Sequence, residues 1–419
     1  MKIDNAFNSK TYRDLGLYIH IPFCAKKCDY CDFLSAPASQ ETINEYFDAM
    51  LTEIESYSTS LKDYIVPTIF FGGGTPSLVD AVYIERMMKA INQIFRIDNR
   101  RLEATIEINP GTVTEDKLQT YKRIGINRLS FGLQSANNEE LSILGRIHTY
   151  EKFEKNYFLA RQLGFQNINI DLMSALPGQT VQTWENTLNK IVGLKPEHIS
   201  AYSLIIEEGT KFYEQYQAGS DAFWKLPDEE TDRLIYHRTK EILQANGYHR
   251  YEISNYAKAA SYECRHNSSY WVGTDYLGLG LGASSLMNGA RFSNLLDCKQ
   301  YIERCTGFNK NYINMSKEDQ DWKNQRIGKK DSLGLRMNYE KLTKQQRMEE
   351  FMFLGLRMCA GVSKNTYFQR FGEDIDTIYG EILRRMMEKK LLEIKNDNIR
   401  LTDYGIDISN YVLSEFLLG

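Results

Sequence analysis

Apolar positions in the first half of the chain follow two rhythms that take turns. Six short runs rich in Ile, Leu, Phe and Tyr read as strands: LYIHI (17–21), PTIFFGG (67–73), LEATIEIN (102–109), NRLSFGLQ (127–134), NINIDLM (167–173) and HISAYSL (198–204). Between them, apolar residues recur at about 3.6-residue spacing and predict helices over ETINEYFDAMLTEIESY (41–57), AVYIERMMKAINQIF (81–95), TEDKLQTYKRIG (114–125) and WENTLNKIVGL (184–194). The punctuation agrees: Thr114 precedes Glu115 and Asp116 as an N-cap with an acidic first turn, and Gly125 stands where that helix should stop. Strand and helix alternation of this kind argues for a parallel sheet with right-handed crossovers. Six βα units form either a doubly wound open sheet or an incomplete barrel of the TIM type, and periodicity does not choose between them.

After about residue 215 the pattern changes. A long helix-like segment (228–246) is followed by a region rich in Tyr, Asn and Gly (247–295) and by a polar stretch, NMSKEDQDWKNQRIGKKDSLG (314–334), that reads as loop or linker. The tail predicts helices over MEEFMFLGLRM (348–358) and IYGEILRRMMEKKLLEI (378–394), then two short strands around a turn in NDNIRLTDYG (396–405). Helices followed by a small hairpin describe a C-terminal α+β domain like a winged helix. The expected organisation is an N-terminal extension (1–16), a barrel core (17–215), a connecting region (216–335) and the C-terminal domain (336–419).

Composition narrows the function classes. The chain has 419 residues, 42% hydrophobic and 25% charged, with a net charge of -4, so it lacks the basic footprint of a nucleic-acid binder. The tail carries no basic recognition helix either, which argues against DNA binding. The start, MKIDNAFNSKTYRD, has no apolar leader, and no run of roughly 18 apolar residues is present to span a bilayer, so a cytoplasmic protein is expected.

In a reducing compartment, clustered cysteines bind metal more readily than they pair. Three of the seven cysteines, Cys24, Cys28 and Cys31, fall within eight residues directly behind the first strand, in YIHIPFCAKKCDYCDF. Soft thiolates select zinc or iron–sulfur centres. A structural zinc site closes with four ligands, usually in pairs. Here the spacing is C-x3-C-x2-C, and the residues available to complete a set are His20, Cys264, His266 and Cys298. Buried core cysteines are the ordinary alternative, yet Lys26, Lys27, Asp29 and Asp32 beside them make a poor core. A cuboidal [4Fe-4S] cluster with three protein thiolates and one open iron fits best.

That cysteine spacing after a first strand, with an aromatic residue (Tyr30) before the last cysteine, resembles the signature of the radical S-adenosylmethionine (SAM) superfamily. The resemblance implies an incomplete (β/α)6 barrel in which the open iron chelates the amino and carboxylate groups of SAM, and electron transfer cleaves the sulfonium to give a 5'-deoxyadenosyl radical. Site residues should then fall at the carboxyl ends of the strands. They do: the cysteine loop follows the first strand, GGGTP (72–76) the second, Glu107 ends the third, Gln134 the fourth, Asp171 sits in the fifth, and Tyr202 and Ser203 end the sixth. The glycines allow backbone N–H groups close to a ligand. Any one of these residues alone would more ordinarily be a capping or surface residue. By resemblance to relatives of oxygen-independent coproporphyrinogen III oxidase, Tyr18 and Tyr30 flank SAM, Gly73, Gly74 and Thr75 meet its methionine part, and Glu107, Gln134, Arg146 and Asp171 contact the rest. A lone Arg such as Arg146 is otherwise usually solvated.

Within that group the chain is most similar to the heme chaperones. The oxidases carry a further cysteine two residues after the third ligand, where this chain has Phe33, and a longer N-terminal arm. CRHNSSYW (264–271) matches the H-N-x-x-Y-W motif of the chaperones with His266, Asn267, Tyr270 and Trp271. An imidazole can ligate heme iron, and Tyr and Trp supply flat apolar faces for a porphyrin, although a single His beside aromatics is more ordinarily a hydrogen-bonded structural residue. Cys264 is the alternative iron ligand. The implied function is to bind [4Fe-4S], SAM and heme and to hand heme to acceptor hemoproteins, such as respiratory ones at the membrane face, within porphyrin metabolism. The competing readings are a radical SAM enzyme acting on a tetrapyrrole, by oxidative decarboxylation or a heme-opening methyl transfer, and a redox-sensing iron–sulfur protein that does not use SAM.

Overall fold

The computed structural model describes residues 12–58, 61–313 and 331–418. Residues 1–11 of the expected N-terminal extension and 314–330 of the expected linker lie outside the described residues. The first half is a βα repeat: β1 (Arg13–Ile21), α1 (Gln40–Ser56), β2 (Tyr64–Gly73), α2 (Ala81–Ile94), β3 (Glu103–Ile108), α3 (Glu115–Arg123), β4 (Arg128–Gln134), α4 (Asn138–Ile143), α5 (Tyr150–Gln162), β5 (Ile168–Ser174), α6 (Val181–Leu194) and β6 (His198–Ser203). Each strand pairs in parallel with the next. The helix starts are chemically marked: Ser39, Asp80, Thr114, Asn137, Thr149 and Thr180 each accept a first-turn backbone N–H. Gly125 follows α3 at φ 93°, the left-handed stop its position predicts.

Side-chain alternation along these strands divides the barrel into an apolar skin and a polar lining. Leu15, Leu17 and Ile19 of β1, Ile69 and Phe71 of β2, Ala104 and Ile106 of β3, Leu129 and Phe131 of β4, Ile168 and Ile170 of β5 and Ile199 of β6 pack in the main hydrophobic core with the helices. The residues between them are Gly16, Tyr18 and His20; Thr68 and Phe70; Thr105 and Glu107; Arg128 and Ser130; Asn169 and Asp171; and His198, Ser200 and Tyr202. They turn inward. A TIM-type barrel usually fills its interior with branched apolar side chains. This one keeps a polar interior.

The barrel does not close. After α7 (Lys211–Tyr216) and α8 (Glu229–Ala245), the short strands β7 (His249–Arg250) and β8 (Asn255–Ala257) add antiparallel to β6. Helix α9 (Arg265–Trp271) follows. Then β9 (Asp275–Leu279) runs parallel to β1 on its free side, and β10 (Ser284–Met287) and β11 (Ala290–Asn294) extend that edge antiparallel. After α10 (Cys298–Ile313), β12 (Arg336–Lys341) completes an open twelve-stranded sheet. Five strands of the sheet therefore come from the connecting stretch 249–294. No helix among the described residues is long and apolar enough to cross a membrane.

The C-terminal part has its own core, including Met352, Leu356, Tyr367, Tyr379, Leu383, Met386, Ile399 and Phe416. It contains α11 (Lys344–Gly355), β13 (Val362–Ser363), α12 (Lys364–Phe371), α13 (Ile375–Glu388), β14 (Leu392–Lys395), β15 (Asn398–Leu401) and the short helices α14 (Asp403–Asp407) and α15 (Ser409–Ser414). The three strands form a separate antiparallel sheet ordered β13-β15-β14, which gives the winged-helix-like outline. Several boundaries differ from the sequence pattern: β2 starts at Tyr64 rather than at 67, the helix expected over 348–358 is Lys344–Gly355, and two further differences have a local cause. β1 begins at Arg13 rather than at Leu17, because pairing with Tyr64 and Ile65 extends it through polar residues that carry no apolar signal. The helix expected over 378–394 ends at Glu388, since Lys390 adopts φ 59° and Leu392 pairs with Leu401 instead. Asn396 and Asp397, both at positive φ, make the tight hairpin turn.

One buried carboxylate ties the added strands to the barrel. Glu53 of α1, 1% exposed, accepts from the Gly280 N–H at 2.8 Å, Tyr301 Oη at 2.6 Å and Asn294 Nδ2 at 2.7 Å. Glu53→Leu strands three buried donors and should destabilise the protein by about 3–5 kcal/mol, with Glu53→Gln, which retains one acceptor, costing less. Urea unfolding of the two variants measures this; a Leu variant within about 1 kcal/mol of wild type would show that the donors find other partners.

Candidate functional site

The cysteine loop leaves β1 and is held from two sides at the carboxyl-end rim of the barrel. The Asp29 N–H donates to the Leu144 carbonyl at 3.2 Å, the Asp29 carbonyl accepts from the Phe212 N–H at 2.9 Å, and Lys211 pairs with the Asp29 carboxylate at 3.0 Å. The α4–α5 connection and the first turn of α7 therefore fix where the thiols point. Cys24, Cys28 and Cys31 are unpaired and half-buried, and all three line one pocket of about 450 Å3. Cys24 Sγ lies 3.5 Å from Thr75 Oγ1, and Arg146 Nη1 donates to Cys28 Sγ at 3.5 Å. Burial pushes the Cys31 thiol up to about 11, with the neighbouring cysteines adding to the rise. Among the described residues no three His, Cys, Asp or Glu side chains converge tightly enough to hold a single metal ion. His20, Cys264, His266 and Cys298 do not line this pocket.

Most of the SAM-contact residues expected from the sequence meet here. Tyr30, Gly73, Gly74, Thr75, Glu107, Gln134, Arg146 and Asp171 all line the same pocket as the three thiols. Arg146 is far from a solvated surface residue: besides Cys28 it reaches Tyr30 Oη at 3.5 Å, Asn109 Oδ1 at 3.0 Å and the Gly132 carbonyl at 2.5 Å. Gln134 takes φ 74° at a register shift between β4 and β5 and accepts from Tyr202 Oη at 2.9 Å. A non-glycine residue in that region carries strain, which clusters at functional sites.

The glycine turn works differently from the expectation. Its N–H groups are taken: Gly73 donates to Glu107 Oε2 at 3.1 Å, Gly74 to the Ile21 carbonyl at 2.8 Å and Thr75 to the Phe23 carbonyl at 2.8 Å. What Gly73 and Gly74 can turn toward the pocket is carbonyl oxygen, which suits an ammonium. Both positions require glycine for packing. A Cβ on Gly73, at φ 109°, would lie 2.6 Å from the His20 ring, and one on Gly74 would lie 2.8 Å from the Phe23 carbonyl oxygen.

Two carboxylates face the pocket in a dry setting. Burial, then the nearby Asp171 charge, pushes Glu107 up to about 8, against the Gly73 N–H, which lowers it. Asp171 is likewise raised by burial, while Ser130 Oγ at 3.0 Å and Asn169 Nδ2 at 2.8 Å donate to it. Carbonyls and carboxylates on one wall with a guanidinium beside the thiols can hold a ligand that carries an ammonium, hydroxyls and a carboxylate. The donor set thus fits both a three-thiolate cluster and SAM.

Tyr18 and the expected heme contacts lie elsewhere. Tyr18 donates to or accepts from His20 Nδ1 at 3.0 Å and lines a second, deeper cavity of about 260 Å3 in the barrel, with His266 and Tyr270. Helix α9 lies at the opposite end of the strands, where Glu103, the first residue of β3, accepts the N–H groups of Arg265 at 3.2 Å and His266 at 3.0 Å. His266 is 1% exposed, its ring 3.0 Å from Thr68 Oγ1 through Nδ1 and 2.8 Å from Tyr270 Oη through Nε2, and stacked on Phe70. Burial, then Arg128, lowers it to about 3. Trp271 points to the C-terminal domain, with the Arg357 guanidinium 4.4 Å above its ring. Cys264 is buried beside Glu103. His266, Asn267 and Tyr270 share the deep cavity while Trp271 does not line it, neither ring nitrogen of His266 is free, and the cavity is below the ~300–1,000 Å3 of sites for drug-sized ligands.

Sequence reasoning missed Asn109, which accepts from Arg146 and pairs with His148 at 3.1 Å, as well as Ser130, Arg128 and Asn169. Their signal was present as the polar half of each strand's two-residue alternation.

A family model described as the radical SAM superfamily matches residues 18–191, and one described as the HemN C-terminal domain matches 342–408. The heme chaperone HemW of Bacillus subtilis is 34% identical over 400 residues, spanning 96% of this chain and 98% of its own. That of Lactococcus lactis is 33% identical over 402 residues, 96% and 97%, and that of Escherichia coli 38% over 270 residues, 64% and 69%. The solved structure of the radical SAM enzyme coproporphyrinogen III oxidase (HemN) from Escherichia coli superposes with a TM-score of 0.79 at 23% identity, covering 97% of this chain and 91% of that one. It shares the fold, an open barrel with a C-terminal domain.

The raised Glu107 predicts a pH dependence for the apo protein. The native state keeps a proton that the unfolded chain releases near 4.5, so this group's contribution to stability is full below about 4.5 and is lost as pH rises to about 8. Glu107→Gln should flatten that fall. Denaturant midpoints of both proteins at about pH 5 and about pH 8.5 provide the measurement, and parallel curves would place the Glu107 pKa near its ordinary value.

Proposed function

The chain belongs to the HemW family of heme chaperones within the radical SAM superfamily, and from that premise we propose that it binds a [4Fe-4S] cluster, SAM and heme and delivers heme to acceptor hemoproteins. The observation that carries the first part is the pocket itself, which sets three unpaired thiols opposite Glu107, Gln134, Arg146 and Asp171. When bound, the cluster supplies an electron to the sulfonium of SAM. Cys24, Cys28 and Cys31 hold it: three soft thiolates on one pocket rim suit an iron–sulfur cluster with one open iron, whereas a structural zinc ion takes four ligands. Arg146 sets positive charge against the thiolate of Cys28. Gly73, Gly74 and Thr75 receive the methionine part of SAM, and Glu107 and Asp171 its ammonium and ribose hydroxyls. Tyr30 closes the pocket on one side. Tyr18 acts one layer below, where its ring edge and the Glu107 carboxylate both border Gly72.

Heme delivery rests on the relatives' names and on Phe33. That side chain is 59% exposed at the pocket mouth, together with Ile205 at 70%, an apolar rim where the resembling oxidases carry a further cysteine. The reading places the protein in the cytoplasm, with respiratory hemoproteins at the membrane face among the acceptors. Ligation of heme iron by His266 demands that its ring leave Thr68 or Tyr270, with Tyr270 and Trp271 rearranged to meet the macrocycle.

The fold shared with coproporphyrinogen III oxidase keeps one competitor in view, an enzyme acting on a tetrapyrrole. Heme titration followed by absorbance should show stoichiometric binding by the reconstituted protein. Anaerobic incubation with coproporphyrinogen and SAM should yield no protoporphyrinogen; stoichiometric product would replace the chaperone by an oxidase. Unchanged heme binding in His266→Ala would remove that residue as the ligand. Separately, Cys24→Ala, Cys28→Ala and Cys31→Ala should each abolish iron–sulfur absorbance after anaerobic reconstitution, and retention by any one of them would assign the ligands wrongly. A cluster that forms without SAM binding would point to a redox sensor.

A further inference from the structure

We propose that the deep end of the barrel is a carboxylate-binding chamber in which Arg128 takes the charge. The chamber of about 260 Å3 adjoins the cysteine-lined pocket and shares Phe33, Gly73, Glu107, Ser130 and Asp171 with it as a common wall. Arg128 opens β4, and strand alternation turns its side chain inward with Ser130. It is 2% exposed, lines the chamber, and its Nε has no hydrogen-bond partner. Among the described residues no carboxylate oxygen lies within 4.0 Å of its guanidinium nitrogens.

The neighbouring groups are committed elsewhere. Glu103 caps α9 through two backbone N–H groups and lies 3.9 Å from Arg265. Asp171 is held by Ser130 and Asn169, and Glu107 by the Gly73 N–H. The imidazole of His198 is shared between Asn169 and Tyr251, and that of His266 between Thr68 and Tyr270. Burial keeps both imidazoles neutral and favours the protonated forms of Glu107 and Asp171. Arg128 thus brings a fixed positive charge to the chamber, with Glu103 and Asp171 the acidic groups that act on it. Buried charges in proteins are paired or bound, because an isolated one is costly to desolvate. Elsewhere in the molecule this holds: the partly buried Arg161 pairs with Glu197 at 2.8 Å, and the Arg250 side chain with Asp403 at 3.1 Å.

A guanidinium presents a fork that matches a carboxylate. The walls add Ser200, Asn169, Tyr18 and Tyr270 as polar neighbours and Phe70 as an apolar one. The volume admits a short monocarboxylate, or the carboxylate end of a ligand whose body occupies the upper pocket through the shared wall.

Propionate and its neutral isostere propionamide are the probes, used on the reconstituted full-length protein. Propionate should raise the melting temperature saturably and broaden its own carboxyl carbon-13 resonance, while propionamide does neither. Arg128→Gln should lose the response to propionate; if that variant does not fold, the propionate–propionamide contrast in the wild type decides alone. Saturating SAM beforehand separates the two sites: undisturbed propionate assigns the chamber to a carboxylate ligand other than SAM, whose own carboxylate belongs at the cysteine loop, and propionate displaced by SAM would overturn that assignment. Equal responses to the acid and the amide, no saturable response, or a response retained in Arg128→Gln would overturn the assignment.

Discussion

Everything that makes this barrel a site follows from how six parallel strands spend their two faces. A parallel sheet covered by helices is normally apolar on both sides. Here every strand gives its outward face to the hydrophobic core, with Leu17, Ile69, Ile106, Leu129, Ile170 and Ile199 all at 0% exposure. Each inward face carries groups that need partners. Once Glu107, Arg128, Asn169, Asp171 and His198 share one interior, either they satisfy each other or a ligand does. Asn169 is the satisfied extreme: its Nδ2 donates to Ser130 at 2.7 Å and Asp171 at 2.8 Å, and its Oδ1 accepts from Ser200 at 3.1 Å. Arg128 is the opposite extreme.

The open edge is the second consequence. Between β1 and β6 the barrel leaves a gap rather than a seam, and each free edge is capped by strands from later in the chain. Edge strands left bare invite pairing with other chains. Covering β1 with β9 also allows the close approach of Gly278 to the backbone at Ser284 and of Gly280 to the His20 carbonyl, 2.4 Å and 2.7 Å from where a Cβ would stand. The glycines of the GLGLGASS run (278–285) are therefore a packing requirement of the edge.

Much of this was legible in the chain. The six strands and four of the helices between them were placed within a few residues because their apolar periods are strong and their caps are chemically marked, while α4 and α5 were not placed, and the cysteine loop announces itself by spacing alone. Eight of the nine residues assigned to SAM by resemblance line the thiol pocket, since strand ends in a βα barrel share one rim. What was hidden was depth. Tyr18 is three residues from Ile21, the end of its strand, and so sits a layer below the rim, a distinction a motif does not carry. The H-N-x-x-Y-W stretch offered His266 either as a heme ligand or as a hydrogen-bonded structural residue, and nothing local says that Glu103, far away in sequence, caps α9 and draws His266 under the barrel. The strands β7 to β11 were obscured by their shortness and by glycines that serve close packing rather than turns.

Donor accounting ties the C-terminal domain to the pocket carboxylate. The Cys359 N–H donates to the Tyr251 carbonyl at 2.9 Å, joining the two cores. Tyr251 Oη accepts the Cys264 N–H at 3.1 Å and must spend its own proton on His198 Nε2 at 2.8 Å. His198 then carries its proton on Nδ1, which donates to Asn169 Oδ1 at 2.6 Å, and that fixes the Asn169 amide with its nitrogen toward Asp171. Every group in this chain has one consistent role, so reversing any one of them would oppose two donors or two acceptors elsewhere. Such fully satisfied buried networks hold their members in single orientations. Asp171 therefore faces the cysteine-lined pocket in an orientation set partly by the same tyrosine that anchors α9 and receives the C-terminal domain. Continuity of this kind fixes geometry, and it makes the barrel floor a structural part of the site above it.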